Sequence, residues 1–388
     1  MSLHKCKLGE LITQRREKNN DDSLPISGVS KDGLIPPKQQ EADTSLYNMF
    51  YRGDFIFNPA RMELNSIAYN DKYDKAICSS LYEVFYVHRT DLILPEFLAL
   101  IVKQDWFTRY CEFLGQGSAR EYCRFANISE IEIEFPDIDV QKKTVHCYNV
   151  IKRRIELKQQ INDNLEATIQ TIFKKYFIDY DNVSYTDFID FEFGKYPSNW
   201  KLVDLDTVVD VRDGTHDSPI PTESGKYLIT SRHLLPYAID RSDAYYISEN
   251  DYNKANERSR VEYGDILFSM IGTIGIISFI TDKEIDFAIK NVGLFRTSQT
   301  PTIRRYIHSY LKSKIVEKYI SSYMAGSTQS YVSLNVLRKI PLILPTESVL
   351  QLYEKLVAPL YEKMIANTKE MMKLNELKGI INSFMSSD

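Results

Sequence analysis

The sequence predicts an α+β protein in which one α/β domain occurs twice and each copy is followed by a long helix. Three features predict this class: motifs that recur at nearly constant spacing, short β-rich runs that alternate with helical stretches, and a 3.5-residue apolar period that closes each half. The chain of 388 residues is long enough for two ordinary domains. A single hydrophobic core rarely grows beyond about 250–300 residues.

The recurring motifs indicate an internal duplication. Gly53-Asp54 precedes the apolar run Phe55–Phe57, and Gly264-Asp265, 211 residues later, precedes Ile266–Phe268. Further along, a second set of residues recurs at an offset of 209: Gly117-Ser118, Tyr122, Phe125, Ile131 and Pro136 correspond to Gly326-Ser327, Tyr331, Leu334, Ile340 and Pro345.

The starts of the two halves also match. Leu8 and Leu11 align with Leu202 and Leu205 at an offset of 194, which gives the second copy about 17 additional residues early in the domain. Chance could produce one match of this kind, but three matches in the same order indicate a duplicated unit.

Each copy ends in a predicted long helix with the apolar period of a coiled-coil seam. In the second half the seam positions are Leu350, Tyr353, Val357, Leu360, Met364, Asn367, Met371, Leu374, Lys378, Ile381 and Met385. Subtracting 209 gives Gln141, Thr144, Tyr148, Ile151, Ile155, Lys158, Asn162, Leu165, Ile169, Ile172 and Tyr176. A segment of roughly 38 residues would span about 57 Å as a helix. Two such helices can pair antiparallel and relate the domains by a pseudo-twofold axis. An ordinary amphipathic helix packed on its own domain is the alternative.

The bodies of the two copies have a mixed pattern. Predicted strands are Phe55–Phe57, Tyr82–Val87, Ile131–Phe135, Ile266–Phe268, Ile274–Ile280 and Ile340–Leu344, and predicted helical stretches are Pro95–Phe113 and Thr302–Met324. The expected division is a first α/β domain over 1–138, a long helix over 139–178, a linker over 179–197, a second α/β domain over 198–345 and a second long helix over 346–388.

Composition excludes several protein classes. Hydrophobic residues make up 43% and charged residues 26%, as in globular proteins. The five cysteines are odd in number and form no C-x-x-C pair, which argues against a disulfide framework and a thiolate zinc site. Without a signal segment or a membrane span, we expect a cytoplasmic protein. A net charge of −5 is unusual for a free-standing DNA-binding domain, so DNA binding would require clustered cations or partner subunits.

Patterns for catalysis and metal binding are weak. Asn58-Pro59-Ala60-Arg61 lacks the second proline and the aromatic residue of an adenine methyltransferase motif. The pairs Glu156/Lys158 and Glu376/Lys378 lie in the predicted helices, where side chains two apart point away from each other, so they are poor nuclease candidates. The six histidines show no metal spacing. We therefore expect no catalytic residues and no metal site.

The duplicated layout, the Gly-Asp turns, the Gly-Ser loops and the closing helices resemble the specificity subunits of type I restriction-modification systems. The second copy adds Pro197-x-x-Trp200, Asp213-Gly214-Thr215-His216 and the stretch Ser269 to Gly275. The first copy departs from this pattern because it has no Asp-Gly-Thr-His. The resemblance covers essentially the whole chain.

The resemblance implies two target-recognition domains that each read one half of a split double-stranded DNA target. The helices would set the spacing and bind two modification subunits, joined by restriction subunits, and S-adenosylmethionine would be held by the modification subunits rather than by this chain. The helix residues expected to carry this interface are Ile155, Leu165, Ile169, Ile172, Leu360, Met364, Met371, Leu374 and Ile381.

Candidate DNA-contacting residues follow from polar loops and from the side chains that recognise base edges. In the first copy they are Arg15, Arg16, Lys31, Arg61, Ser118 and Arg120. In the second copy they are Arg212, Asp213, Thr215, His216, Ser231, Arg232, Ser327, Gln329 and Ser330. Each could instead stabilise its loop.

A coiled-coil scaffold whose two domains bind proteins rather than DNA is the alternative function. It accounts for the acidic charge better, but it does not explain why the recognition loops differ between copies that keep the same turns. The DNA sequence, the spacer length and the half-site read by each domain are not encoded in any recognisable pattern.

Overall fold

A computed structural model describes the chain over residues 3–21, 23–37, 43–115, 122–181, 187–325 and 331–383. The chain divides into two compact units, Met1–Ile155 with Lys373–Asp388 and Glu156–Met372. Both boundaries fall inside long helices, so each unit contains a part of each helix. The mixed content of strands and helices confirms the predicted α+β class.

The first unit is built around an antiparallel sheet. The strands of the whole unit are β1 (Leu3–Lys7), β2 (Ile12–Arg15), β3 (Gly28–Ser30), β4 (Gly33–Ile35), β5 (Asn48–Tyr51), β6 (Phe55–Phe57), β7 (Ile67–Tyr69), β8 (Lys75–Cys78), β9 (Glu83–Val87) and β10 (Glu132–Pro136). Its helices are α1 (Pro95–Ile101), α2 (Asp105–Gly115), α3 (Phe125–Ser129) and the start of α4 (Ile138–Phe177). Four strands form the central sheet in the order β2-β9-β6-β7. Buried Phe55 and Phe85 stack across it with ring centroids 4.9 Å apart.

The second unit has the same plan with additional strands. In all, the strands of the second unit are β11 (Phe188–Phe191), β12 (Gly194–Pro197), β13 (Lys201–Asp204), β14 (Val211–Asp213), β15 (Lys226–Ile229), β16 (Leu234–Leu235), β17 (Ala238–Ile239), β18 (Tyr246–Ile247), β19 (Ile266–Ser269), β20 (Ile277–Phe279), β21 (Phe287–Ile289), β22 (Val292–Phe295) and β23 (Pro341–Leu344). The helices are α5 (Glu249–Ser259), α6 (Arg304–Leu311), α7 (Lys314–Ala325), α8 (Leu334–Arg338) and α9 (Glu347–Ser383). The segment 179–197, interpreted from the sequence as a linker, contains the β11–β12 hairpin.

Matching topology confirms the duplication. The sheet order β14-β22-β19-β20 repeats the order β2-β9-β6-β7, and every pairing in both sheets is antiparallel. In each copy an early strand pairs with the strand that precedes the long helix, β1 with β10 and β13 with β23. The Gly-Asp turns are equivalent too, since the buried carboxylates of Asp54 and Asp265 accept backbone N–H bonds from Tyr51 and Glu262. Burial raises the pKa of both carboxyls.

The match between the starts of the two copies needs correction. The amide of Leu8 donates to the carbonyl of Ile131 at 2.8 Å, and the amide of Leu205 donates to the carbonyl of Ile340 at 3.0 Å. Leu8 therefore corresponds to Leu205, at an offset of 197 residues rather than 194. Leucines three residues apart satisfied the same apolar pattern, and only the backbone hydrogen bonds distinguish them.

Three predicted elements also differ from the expectation, one strand and two helical stretches. The strand predicted over Ile274–Ile280 begins only at Ile277, because Gly272 and Gly275 adopt positive φ angles of 75° and 90° and form a turn. The helical stretches each divide into two helices, α1 and α2 in the first unit and α6 and α7 in the second.

The long helices pair antiparallel within the second unit. The side chain of Asn367 donates to Asn162 at 2.9 Å, and Lys158 pairs with Glu370 at 2.8 Å. Residue numbers therefore increase along α4 while those of the partners on α9 decrease, as antiparallel pairing requires. Asn162 and Asn367 are both buried. A buried polar pair of this kind favours one register, because sliding the helices would leave amide groups without partners.

The helices are also attached to the core of the second unit. Rings of Phe177 and Tyr306 lie 4.7 Å apart, and those of Phe177 and Tyr353 lie 5.0 Å apart. Glu166 of α4 accepts hydrogen bonds from Lys312 at 2.9 Å and from Tyr237. Burial opposes ionisation of Glu166, but Lys312 and the Tyr237 hydroxyl outweigh it, so the pKa of Glu166 lies below its usual value.

A buried histidine joins α6 to α9. The Nδ1 atom of His308 lies 2.7 Å from the hydroxyl of Tyr361, which also bonds to Ser309 at 3.0 Å. Complete burial, with a smaller effect of the nearby Lys312 ammonium, places the pKa of His308 well below its usual value. His308 is therefore neutral in the folded protein near pH 7, whereas in the unfolded chain it would bind a proton below about pH 6.5.

This histidine gives the second unit a pH-dependent stability. Because the unfolded state binds the additional proton, the contribution is fully present above about pH 6.5 and is lost as the pH falls, by up to about 1.4 kcal/mol per pH unit. We expect His308→Gln to show a flatter decline in the free energy of unfolding between pH 7.5 and 5.5 than the unmodified protein, measured by urea denaturation. Identical declines in the two proteins would show that His308 is not the group responsible.

Candidate nucleic-acid interface

A basic cleft of about 430 Å³ lies on the first unit beside strands β2, β5 and β9. Its cationic lining is Arg15, Arg16, Lys18 and Arg124, with Glu83 as the acidic member. Arg16 is exposed and is oriented by Gln14, whose side-chain oxygen accepts its Nε–H at 2.8 Å. Lys18 donates to Asn48 at 2.7 Å. The cleft therefore concentrates positive charge on a chain whose net charge is negative.

Arg15 has a different environment from its neighbour Arg16. Its guanidinium makes two hydrogen bonds to the buried Asp54, at 2.7 and 3.1 Å, and its centre lies 4.7 Å from the rings of both Tyr51 and Tyr86. These contacts tie β2 to the Gly-Asp turn and leave a quarter of the side chain exposed. Arg15 is thus held by structural contacts at the cleft, whereas the charge of Arg16 is exposed to solvent.

A wider cleft of about 1080 Å³ adjoins the basic cleft. It brings Lys31 and Arg61 together although thirty residues separate them, and both side chains are exposed. Arg61 stands in the 3-10 turn Pro59–Leu64, which begins where the Asn58 side chain accepts the amide of Ala60 at 3.1 Å. The backbone that carries Arg61 is therefore held in place before any ligand binds.

The β8–β9 turn separates these two clefts. Tyr82 lines both of them, Ser80 lines the basic cleft, and Ser79 and Leu81 line the wider cleft. The amide of Tyr82 donates to the carbonyl of Ser79 at 3.0 Å, and Asn48 donates to the carbonyl of Tyr82 at 2.7 Å. These hydrogen bonds hold the turn in place between the basic cleft and the wider cleft.

In the second unit Gly214, Thr215 and His216 of the Asp-Gly-Thr-His motif line a cleft of about 530 Å³. Asp213 is buried and binds Arg258 at 2.5 Å and His216 at 3.1 Å. The amide of Thr215 donates to the carbonyl of Ile289 at 2.9 Å. A β-carbon on Gly214 would lie 2.4 Å from that carbonyl oxygen, so the close approach requires glycine.

The same cleft includes residues that the sequence did not single out. Lys254 and Arg258 of α5 line it together with Thr215, His216 and Ile220. Their spacing of four places both cations on one face of a helix, which is a signal that the sequence contains. Lys18 and Arg124 of the basic cleft were missed as well, and no local pattern connects them because they lie 106 residues apart.

The remaining candidates lie elsewhere. Arg212 pairs with Asp210 at 2.8 Å, and Arg232 is exposed and lies 3.5 Å from Asp243. Neither of them, nor the half-buried Ser231, is among the residues that line the second unit's cleft. Ser118, Arg120, Ser327, Gln329 and Ser330 lie outside the described residues.

The helix residues expected to bind partner subunits also need correction. Ile169 and Met364 are completely buried in the core of the second unit, and Leu165, Ile172 and Leu360 pack against that core. On the folded unit Ile169 and Met364 cannot contact another protein, so the alternative of helices packed on their own domain holds for this part of the seam. Ile155, Met371, Leu374 and Ile381 are half-buried. Tyr361, which the predicted seam passed over, is completely buried.

Exposed apolar residues occupy other positions on these helices. On α4 they are Val150, Leu157 and Ile161, and on α9 they are Leu352, Leu356, Leu377 and Ile380. These side chains therefore face solvent and are accessible to a partner.

The described ranges hold neither a candidate metal site nor a candidate membrane span. No group of three His, Cys, Asp or Glu side chains there converges in a way that could hold a metal ion. Among the helices of that part of the chain, none combines the length and apolar character needed to cross a membrane.

Comparison with known proteins places these features in a family context. The family model described as the type I restriction modification DNA specificity domain matches the chain twice, over residues 16–167 and 197–370. The MjaIX specificity subunit of Methanocaldococcus jannaschii is 25% identical over 303 residues, which cover 74% of this chain and 67% of that protein. The HindI specificity subunit of Haemophilus influenzae is 27% identical over 135 residues, or 34% of this chain and 29% of that protein.

A solved structure shares the fold. The S subunit of a type I restriction-modification system from M. genitalium superimposes with a TM-score of 0.59 at 13% sequence identity, over 100% of this chain and 96% of that chain. Its sequence similarity is too low to compare individual site residues, so it supports the architecture alone.

Proposed function

The chain belongs to the specificity subunits of type I restriction-modification systems, and we propose that it reads a two-part DNA target without catalysing a reaction itself. The observation that carries this proposal is the duplication: the DNA specificity domain occurs twice, and each unit has its own polar cleft built on equivalent sheets. Two readers that differ in their loops suit two different half-sites.

The clefts of the first unit favour a division of labour. The cations Arg16, Lys18 and Arg124 suit phosphate oxygens, which supply sequence-independent affinity. The wider cleft combines Lys31 and Arg61 with Asn58, whereas the Asn65 amide that also lines it donates to the Val102 carbonyl and the Thr108 hydroxyl. Arginine, lysine and asparagine are side chains that recognise base edges in the major groove. We therefore assign phosphate contacts to the basic cleft and base contacts to the wider one.

Partner subunits would complete the activity. We propose that two modification subunits bind this chain, bring S-adenosylmethionine and the base-flipping pocket, and are joined by restriction subunits in the cytoplasm. Their cationic surfaces would compensate for the net charge of −5. The exposed Leu157 and Ile161, on the part of α4 that belongs to the second unit, are the proposed docking surface, in place of the buried seam positions.

The proposed function is tested most directly by methylome sequencing. A host that carries this gene with its modification subunit should methylate one bipartite motif that disappears on deletion of the gene. Replacing 198–345 with the equivalent domain of a relative should change one half of the motif and leave the other half intact. An unchanged methylome after deletion would refute the proposal.

The basic cleft should determine salt dependence. In the complex with modification subunits, the triple variant Arg16→Gln, Lys18→Gln, Arg124→Gln should bind all duplexes more weakly, because up to three phosphate contacts are lost. The slope of log affinity against log salt should fall by roughly two to three, given about 0.9 per phosphate. The matched control removes three exposed cations of the same unit outside the cleft, Lys5, Lys7 and Arg89, and should keep the original slope. Equal slopes in all three proteins would exclude this surface.

The docking surface should be sensitive to charge. Leu157→Asp with Ile161→Asp should prevent co-purification with the modification subunit without lowering the melting temperature, because both side chains are exposed. Lys152→Asp with Gln159→Asp alters exposed positions on another face of the same helix and should leave the complex intact. A stoichiometric complex formed by the first variant would rule out this face.

A further inference from the structure

Two aliphatic side chains are unusually exposed for their size. Ile220 is 80% exposed and Leu81 is 78% exposed, the highest values for large hydrophobic residues within the described part of the chain. Leu81 lines the wider cleft of the first unit, and Ile220 lines the cleft of the second unit. The two clefts thus share one feature that neither the duplication nor the core explains.

Both side chains stand on constrained backbone. The amide of Leu81 donates to the Ser79 hydroxyl at 3.3 Å in the short turn between β8 and β9. Ile220 lies between Pro219 and Pro221, whose rings fix φ on either side of it. The loop around it is tied at both ends, by Lys290 bonding to Ser218 and by the amide of Thr222 bonding to Tyr246 at 2.9 Å. Contact through such residues costs little conformational entropy.

The surroundings indicate what the aliphatic groups would meet. Leu81 is adjacent to Tyr82, which borders the cations of the basic cleft, and Lys31 and Arg61 share its own cleft. Lys254 and Arg258 share the cleft of Ile220. The most exposed aliphatic side chain of each cleft thus lies beside hydrogen-bonding and cationic groups, although the less exposed Leu64 also lines the wider cleft, and Lys254 and Arg258 are paired with Asp217 and Asp213. This combination suits the major groove of DNA, where donors and acceptors alternate and thymine alone presents a methyl group.

We propose that Leu81 and Ile220 each recognise a thymine through its C5 methyl group, one in each half-site. The inference rests on the proposed DNA-reading function and assigns specificity to side chains other than the charged and amide groups considered above. Burial of the methyl group against an aliphatic side chain favours thymine over a base that lacks it, by about fourfold per methyl.

The test uses the complex with modification subunits and duplexes that carry the motif found by methylome sequencing. Each thymine is replaced in turn by deoxyuridine, which differs only in lacking the methyl group, and affinity is measured by fluorescence anisotropy. For the unmodified complex, one replacement in each half-site should weaken binding about fourfold. Leu81→Ser should weaken binding to the thymine duplex and become insensitive to the replacement in one half-site, and Ile220→Ser should do so in the other. Leu81→Met, which keeps an apolar contact, should remain sensitive.

Controls distinguish this inference from the function on which it rests. Leu3→Ser and Leu235→Ser remove exposed aliphatic groups outside both clefts and should keep the unmodified profile. If the unmodified complex does not prefer its own motif, the proposed function fails. If it prefers the motif but neither serine variant changes the response to deoxyuridine, the thymine contact is wrong. A uniform loss of affinity on every duplex, as an apolar wedge between base pairs would give, also overturns it.

Discussion

Both long helices pass through the hydrophobic core of the second unit, and the organisation of that unit depends on this packing. Phe173 and Phe177 of α4 meet Tyr353 and Tyr361 of α9 in the same buried cluster. Burying each of these aromatic side chains contributes about 1.5–3 kcal/mol. The Glu166–Lys312 pair and the His308–Tyr361 hydrogen bond fix the positions of the helices along one another, because apolar packing alone would allow the helices to slide. A helix held in this way is a rigid support rather than a flexible connection.

The proposed recognition surfaces differ from this core, because loops at the edges of well-packed sheets form them. Each loop is nevertheless fixed by buried groups: Asp54 holds Arg15, Asp213 holds Arg258, and Gly214 allows the backbone to approach Ile289. Pre-positioned side chains lose less entropy on binding, which favours discrimination between similar sequences. Residues with buried partners and exposed residues therefore alternate along the same short segments, as Arg15 and Arg16 do.

Duplication with divergence would allow the same framework to carry two different proposed reading surfaces. The framework keeps its strand pairing while its surface chemistry changes. At one equivalent position the first copy pairs Lys7 with Glu130, and the second pairs Asp204 with Lys339 with the charges reversed, both at 2.6 Å. Since these pairs are exposed, such an exchange costs little stability. The cleft linings also differ between the units: Lys31 and Arg61 line the wider cleft of the first, and His216 and Arg258 line the cleft of the second.

Local patterns in the sequence determined the duplicated unit, the Gly-Asp turns and the two long helices, because periodicity and turn chemistry act over a few residues. The same patterns could not decide which leucine of the second copy matches Leu8, since Leu202 and Leu205 are equally apolar. Nor could they show that Ile169 and Met364 face a domain core, because a seam and a core demand the same side chains.

Only the tertiary structure brought Lys18 to Arg124, and only it gave Arg15 a buried partner while leaving Arg16 exposed. These distinctions depend on contacts between residues far apart in the chain, and such contacts exist only once the sheet has formed.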